Sequence, residues 1–208
     1  MLANKPYVIG LTGGIGCGKS EAARYLESLG AAHVDADEVS RKLTGENGEA
    51  LDDIRRVFGD AAFLEDGTLD RKKLGKLVFA NEAARRALEG ILHPLVQRDM
   101  LAAMDAAAQA GAGVVILDVP LLFETGMDAL CDETWALTVP RERQVTRIVA
   151  RDGLSPEDAV ARIESQMPLE ERNARATYVV NTDRPIERTQ AELEQLYRAA
   201  QKRAEKNG

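Results

Sequence analysis

Gly13-Gly14-Ile15-Gly16-Cys17-Gly18-Lys19-Ser20 is the stretch on which the reading of this chain turns. It fits the pattern G-x-x-x-x-G-K-[ST], and it stands where that chemistry needs it, after a β-like run and before a helical one. Upstream, Tyr7-Val8-Ile9-Gly10-Leu11 is short and apolar; downstream, Glu21 to Leu29 reads as a helix closed by Gly30. The glycines let the backbone curl so that its N–H groups face phosphate oxygens, and the helix N-terminus adds the positive end of a dipole. Lys19 is placed to reach the β- and γ-phosphates, and the Ser20 hydroxyl to ligate Mg²⁺. Residues Gly13 to Ser20, with Glu21 following, therefore form a candidate nucleoside triphosphate site. Cys17 lies beside Lys19 at a helix start, surroundings that lower a thiol pKa; a small residue filling a variable loop position is the plainer account.

Working outward, short apolar runs alternate with helical stretches. Ala32-His33-Val34-Asp35, Val114-Val115-Ile116-Leu117, Thr134 to Val139 and Tyr178 to Asn181 supply four more strands. The run Val114 to Leu117 is apolar throughout, as expected of a strand covered on both faces. Strands separated by helices imply βαβ units and a parallel sheet. Pro94 is expected to split a long helical stretch into Glu82 to Leu92 and a second helix to Ala110. Leu43 to Val78 is charged and reads as extra helices. Arg141 to Arg175 is arginine-dense and helical, with Ser155-Pro156-Glu157-Asp158 as an N-cap signature. A last helix from about Ile186 runs into a polar tail, Gln201 to Gly208, expected to fray.

Composition narrows the class. The 208 residues are 45% hydrophobic and 29% charged, which excludes wholesale disorder, and the net charge of −7 argues against a nucleic-acid coat protein. Two cysteines, Cys17 and Cys131, make no disulfide framework and suit a reducing compartment. The opening Met1-Leu2-Ala3-Asn4-Lys5-Pro6 lacks the pattern of a secretory leader, and no apolar run approaches the ~20 residues of a membrane span. A soluble cytoplasmic protein is expected.

Among proteins with such a loop, a GTPase would need a guanine-reading Asn-Lys-x-Asp late in the chain, and the single Asn-Lys pair is Asn4-Lys5. An ATP-driven machine would carry a glutamate directly after its second aspartate, but Asp118 is followed by Val119-Pro120. A small-molecule kinase remains. Asp35-Ala36-Asp37 ends the second strand, the edge where ligands bind in open α/β sheets. If the chain stays extended there, both carboxylates point to one side. One could orient an attacking hydroxyl and take its proton, and the other could hold Mg²⁺ through water. The alternative is an Asp N-cap for the next helix. Arg143, Arg147 and Arg151 stripe one side of a helix, a face that can close over a triphosphate or simply meet solvent. Asp118 has the placement of a second metal-side carboxylate.

In these motifs the chain resembles the dephospho-CoA kinase family. The likeness rests on Ile9 to Gly16 leading into the loop, Asp35-Ala36-Asp37, Leu92-His93-Pro94-Leu95, Asp118 to Glu124, Arg147 to Leu154, and Arg162 to Gln166. It implies a nucleotide-kinase-like P-loop NTPase fold: a parallel five-stranded sheet flanked by helices, with a helical acceptor-binding region at about 43–110 and a lid at about 141–175, all in one kinase domain. It implies γ-phosphoryl transfer from ATP to the ribose 3′-hydroxyl of dephospho-CoA, with Mg²⁺. Asp37 would be the base, Lys19, Arg147 and Arg151 charge stabilisers, and Ser20, Asp35 and Asp118 metal contacts. His93, Pro120, Leu121 and Phe123 would join Asp37 in the acceptor pocket. Another small-molecule or nucleoside monophosphate kinase, and a nucleotide-binding protein without catalysis, are the rivals. The chain departs from the family near the last strand, reading Ala176-Thr177-Tyr178-Val179-Val180-Asn181-Thr182, so base contacts at Asn181 and Thr182 are left open.

Overall fold

Seven consecutive buried residues, Tyr7–Gly13, form the first strand, β1. A computed structural model describes residues 5–207; Met1 to Asn4, part of the opening segment read for a leader, and Gly208, the end of the tail expected to fray, lie outside them. After β1 come α1 (Lys19–Ser28), β2 (Ala32–Asp35), α2 (Ala36–Leu43), α3 (Leu51–Phe58), α4 (Arg71–Ala80) and α5 (Glu82–Gln109). Then follow β3 (Val114–Asp118), β4 (Glu133–Thr138), α6 (Arg141–Asp152), α7 (Pro156–Glu164), α8 (Leu169–Arg175), β5 (Tyr178–Asn181) and α9 (Ile186–Asn207).

The five strands form one parallel sheet in the order β2-β3-β1-β4-β5. β1 lies at its centre, with Leu11 level with Asp118 of β3 and Gly13 level with Leu137 of β4. A strand hydrogen-bonded on both sides and covered on both faces must be apolar along its length, and Val8, Ile9 and Leu11 are fully buried. Helices α1 and α9 cover the sheet through a core that includes Leu26, Ile116, Trp135, Leu137, Leu193 and Tyr197.

The chain divides into two compact units, Met1–Val34 with Met104–Gly208, and Asp35–Ala103. The second is helical and has its own core of Leu43, Ala50, Ile54, Ala62, Phe63 and Leu74. The Arg55 guanidinium lies 3.8 Å from the centre of the Phe63 ring. No helix among the described residues is long and apolar enough to cross a membrane.

The structure corrects three local expectations. α5 runs unbroken through Pro94, giving up the one helical hydrogen bond that the proline nitrogen cannot donate. The C-terminal tail continues α9 as helix to Asn207, since Leu193, Tyr197 and Ala200 anchor it to the sheet core. Finally, α2 begins at Ala36, so Asp35 ends a strand and Asp37 opens a helix, and the two-residue alternation of extended chain does not hold.

One polar cluster fixes the start of β4. The Glu133 side chain is 4% exposed, and it accepts hydrogen bonds from Trp135 Nε1 at 3.0 Å, Tyr7 Oη at 3.1 Å and Arg203 Nη1 at 2.8 Å. Burial, reinforced by the Glu133 charge, pushes the Tyr7 phenol up to about 12. A buried carboxylate that loses its cation is strongly destabilising, but the Arg203 side chain is 40% exposed. Arg203→Met should therefore cost about 2–3 kcal/mol in urea unfolding. Adding Glu133→Gln should recover much of that loss.

Candidate active site

β1 ends at Gly13 and α1 begins at Lys19, so the glycine-rich stretch is the turn between them. Gly18 caps α1 at φ 82° and supplies no side-chain oxygen to the first turn. The N–H groups at that helix start are therefore left to a ligand, with the dipole behind them. Few bonds within the loop hold it, chiefly Cys17 N to Gly14 O at 3.0 Å. Side chains from later in the chain do the rest. Gln144 on α6, almost fully buried, donates to Ile15 O at 2.9 Å, while Gln166 accepts from Ile15 N at 2.9 Å. Arg147 donates to Gly16 O at 3.1 Å and to Thr182 O at 3.0 Å, and the Thr182 hydroxyl donates to Cys17 O at 2.9 Å. A Cβ on Gly14 would lie 2.6 Å from Gln144 Nε2, so a side chain there would push the amide that holds Ile15 O out of place.

Asp118 closes β3, 2% exposed, and its carboxylate is ion-paired with Lys19. His33 Nε2 lies 3.3 Å from the other oxygen of Asp118, and His33 Nδ1 lies 3.2 Å from Glu27. Burial alone would raise the Asp118 carboxyl; the His33 hydrogen bond and the Lys19 ammonium outweigh it and hold the group below the usual carboxylate range. Hydrogen bonding to Asp118 conversely raises the His33 imidazole against the opposing effect of burial.

Beside the loop opens a cavity of about 610 Å³, within the range of small-molecule sites. Its walls include Gly16, Gly18, Glu21, Tyr25, Arg147, Arg151, Thr182, Arg184, Ile186 and Leu193. The stripe expected on α6 thus divides. Arg147 braces the loop, and Arg151 lines the cavity while bonded to Asp152. Arg143 faces outward and pairs with Asp183 at 2.9 Å.

The remaining candidate residues have plain placements. Asp35 caps α2, its Oδ1 accepting from Asp37 N at 2.7 Å and Glu38 N at 3.3 Å. Asp37 is exposed in the first turn of α2, and His93 is exposed within α5. Those three belong to the unit Asp35–Ala103. In the sheet unit, the Pro120 carbonyl accepts from Thr12 Oγ1 at 3.0 Å, Leu121 is 37% exposed, and Phe123 is packed at 7%. Ser20 and Glu21 are exposed on the first turn of α1.

Residues 7–188 match the dephospho-CoA kinase family. The chain belongs to that family. A dephospho-CoA kinase from Symbiobacterium thermophilum is 42% identical over 193 residues, 93% of this chain and 81% of that protein. The solved structure of TT1252 from Thermus thermophilus superposes with a TM-score of 0.80 at 36% identity, covering 92% of this chain and 96% of that one. A dephospho-CoA kinase structure from Campylobacter jejuni gives 0.70 at 29% identity, covering 94% and 97%.

For this member of the dephospho-CoA kinase family, sequence reasoning did not single out His33, Gln144, Arg172 or Arg184. Gln144 did carry a signal: it stands three residues before Arg147 and four before the fully buried Ile148, on the face of α6 that turns inward. Cys17 differs from the surroundings expected of it. Burial pushes its thiol up, although Arg172 and Arg147 pull the other way. Cys131 is pushed up to about 12, again chiefly by burial. Neither thiol should carry appreciable thiolate at pH 8. A disulfide reagent is expected to react slowly with the native protein and to label both cysteines at once in guanidinium.

Proposed function

We propose that this chain transfers the γ-phosphoryl group of ATP to the ribose 3′-hydroxyl of dephospho-CoA, giving coenzyme A and ADP. The observation that carries the reading is the loop between β1 and α1, with its uncapped helix start and its lysine held by Asp118, in a chain of the dephospho-CoA kinase family. The nucleotide base and ribose enter the cavity of about 610 Å³, and the triphosphate runs along the loop. The reaction occurs in the cytoplasm, in keeping with two unpaired cysteines.

Transfer asks for positioning and for charge placed where charge develops. Asp37 takes the proton of the 3′-hydroxyl as its oxygen attacks the γ-phosphorus and the bond to the ADP oxygen breaks. Capping by Asp35 fixes the turn from which Asp37 acts, since the Asp35 carboxylate accepts from the Asp37 N–H itself. Lys19 exchanges Asp118 for the β- and γ-phosphate oxygens when the triphosphate arrives. Arg147 and Arg151, on α6 with the lid segment of residues 141–175, add positive charge from the cavity side. His93, Pro120, Leu121 and Phe123 contribute to acceptor binding, the role that also falls to the helical region at about 43–110.

The donor set suits Mg²⁺: Asp118 offers an ionised carboxylate, and Ser20 an exposed hydroxyl that makes no hydrogen bond among the described residues. These two, with Asp35, would hold the ion, which when bound neutralises charge across the β- and γ-phosphates.

Mixed with Mg·ATP, the protein should release ADP only when dephospho-CoA is present; an ATP-binding preparation without acceptor-dependent turnover would overturn the reading. Asp37→Asn should lower kcat by ~10²–10⁴-fold, the range for a positioned base, with ATP affinity by calorimetry nearly unchanged. A full rate in that variant would move the base role to another group.

A further inference from the structure

Arg172, on α8, is 2% exposed, and no carboxylate among the described residues lies within ion-pairing distance of it. The arginines around it behave differently: Arg162 pairs with Asp152 and Arg175 with Glu171, both at the surface. The Arg172 side chain makes one hydrogen bond, from Nη2 to the Met167 carbonyl at 2.9 Å, and its buried Nε has no partner among the described residues. A guanidinium stays charged at any physiological pH, so burying one without a counter-ion is costly and cannot be relieved by losing a proton.

Its direction is informative. Nη1, which makes no hydrogen bond among the described residues, would sit 3.1 Å from a Cβ placed on Gly14, so this tip of the guanidinium, and not the Nε edge turned to Met167, faces the first half of the phosphate loop. The nucleotide cavity borders Gly16 and Gly18 instead, toward the second half. A triphosphate that starts in the cavity and follows the loop carries its terminal phosphate toward Gly14. The geometry points to the γ-phosphoryl group as the missing counter-charge of Arg172, which makes Arg172 a catalytic residue contacting the transferred group. This inference rests on the reading of the chain as an ATP-dependent kinase.

A planar fork with unpaired N–H groups, buried before the ligand arrives, suits the equatorial oxygens of the phosphoryl in flight. It adds a positive contact at the far end of the triphosphate from Arg151. It also accounts for Gly14, where a side chain would occupy the space between loop and guanidinium.

The test compares nucleotides and not just rates. Calorimetry on Arg172→Met should show Mg·ATP binding weakened at least ~10-fold, while Mg·ADP, which lacks the γ-phosphate, changes little. Turnover should fall by ~10²–10³-fold, as when one oxyanion donor is removed. The nucleotide-free Arg172→Met protein should melt no lower than the parent, because an uncompensated buried charge has been replaced by an apolar chain. Equal loss of ATP and ADP affinity, unaltered ATP affinity, or a clearly lowered melting temperature would each overturn the assignment and make Arg172 structural. Arg172→Lys keeps a cation but loses the fork, and it decides the matter if the methionine variant does not fold. A selective loss of ATP over ADP there supports the proposal, and a parallel or absent loss overturns it. A parent protein that binds both nucleotides yet does not phosphorylate dephospho-CoA would sink the acceptor assignment alone, since the binding comparison needs no acceptor.

Discussion

The ion pair between Lys19 and Asp118 is the contact on which the arrangement of the site depends. Asp118 lies at the carboxyl end of a buried strand, where an unpaired carboxylate would be costly to desolvate. Lys19 and His33 supply the compensating charge and hydrogen bond, one from the first turn of α1 and the other from β2. The lysine is thereby carried to the edge of the sheet where β1 and β3 lie side by side, the place where an open α/β sheet binds its ligand. Without that pair, nothing in the glycine-rich turn itself would fix where the ammonium points.

The loop has a second dependency. Its peptides are held by Gln144, Gln166, Arg147 and Thr182, all more than a hundred residues away in sequence. Ile15 is gripped on both its N–H and its carbonyl, by two glutamines from different segments. Two of these residues, Arg147 and Thr182, also line the cavity. Any displacement of α6 large enough to break the Gln144 and Arg147 bonds withdraws support from the Ile15 and Gly16 carbonyls. The shape of the loop and the position of α6 are thus tied by shared hydrogen bonds.

Much of this was legible in the sequence, for physical reasons that also mark where legibility ended. Strands buried on both faces leave near-continuous apolar runs, which made β1, β3 and β4 readable, while the partly exposed edge strands β2 and β5 were readable to the residue from short apolar runs between helical stretches. The loop was readable because phosphate binding demands particular residues at fixed spacing. Pro94 misled because a helix of 28 residues keeps its remaining hydrogen bonds when one is lost, a length effect that a breaker rule does not weigh. Asp35 and Asp37 misled because strand geometry stops one residue sooner than the alternation argument needs. Gln144, Gln166 and Arg172 act through partners distant in sequence, and no local pattern encodes which backbone group a buried amide or guanidinium will meet. Thr177 exchanges hydrogen bonds with Thr134 of β4, at 3.0 Å and 3.1 Å, a tie just ahead of β5 that no local pattern announces.

The net charge of −7 gives no hint of a polyanion site, and the structure explains why the sum misleads. Most arginines of the chain meet carboxylates at the surface, where each pair contributes little and its charge is cancelled locally. Around the cavity the balance changes by degrees. Arg184 is bonded to Glu192, and Arg151 to Asp152, so both face a ligand partly neutralised. Arg147 spends its donors on backbone carbonyls and keeps its full charge, and Arg172 keeps its charge with one nitrogen wholly unpartnered. Unpaired positive charge is thus concentrated on Arg147 and Arg172, beside the loop, although the chain as a whole is acidic. Where such charge stands is set by which arginines lack carboxylate partners, a quantity that no count of residues contains.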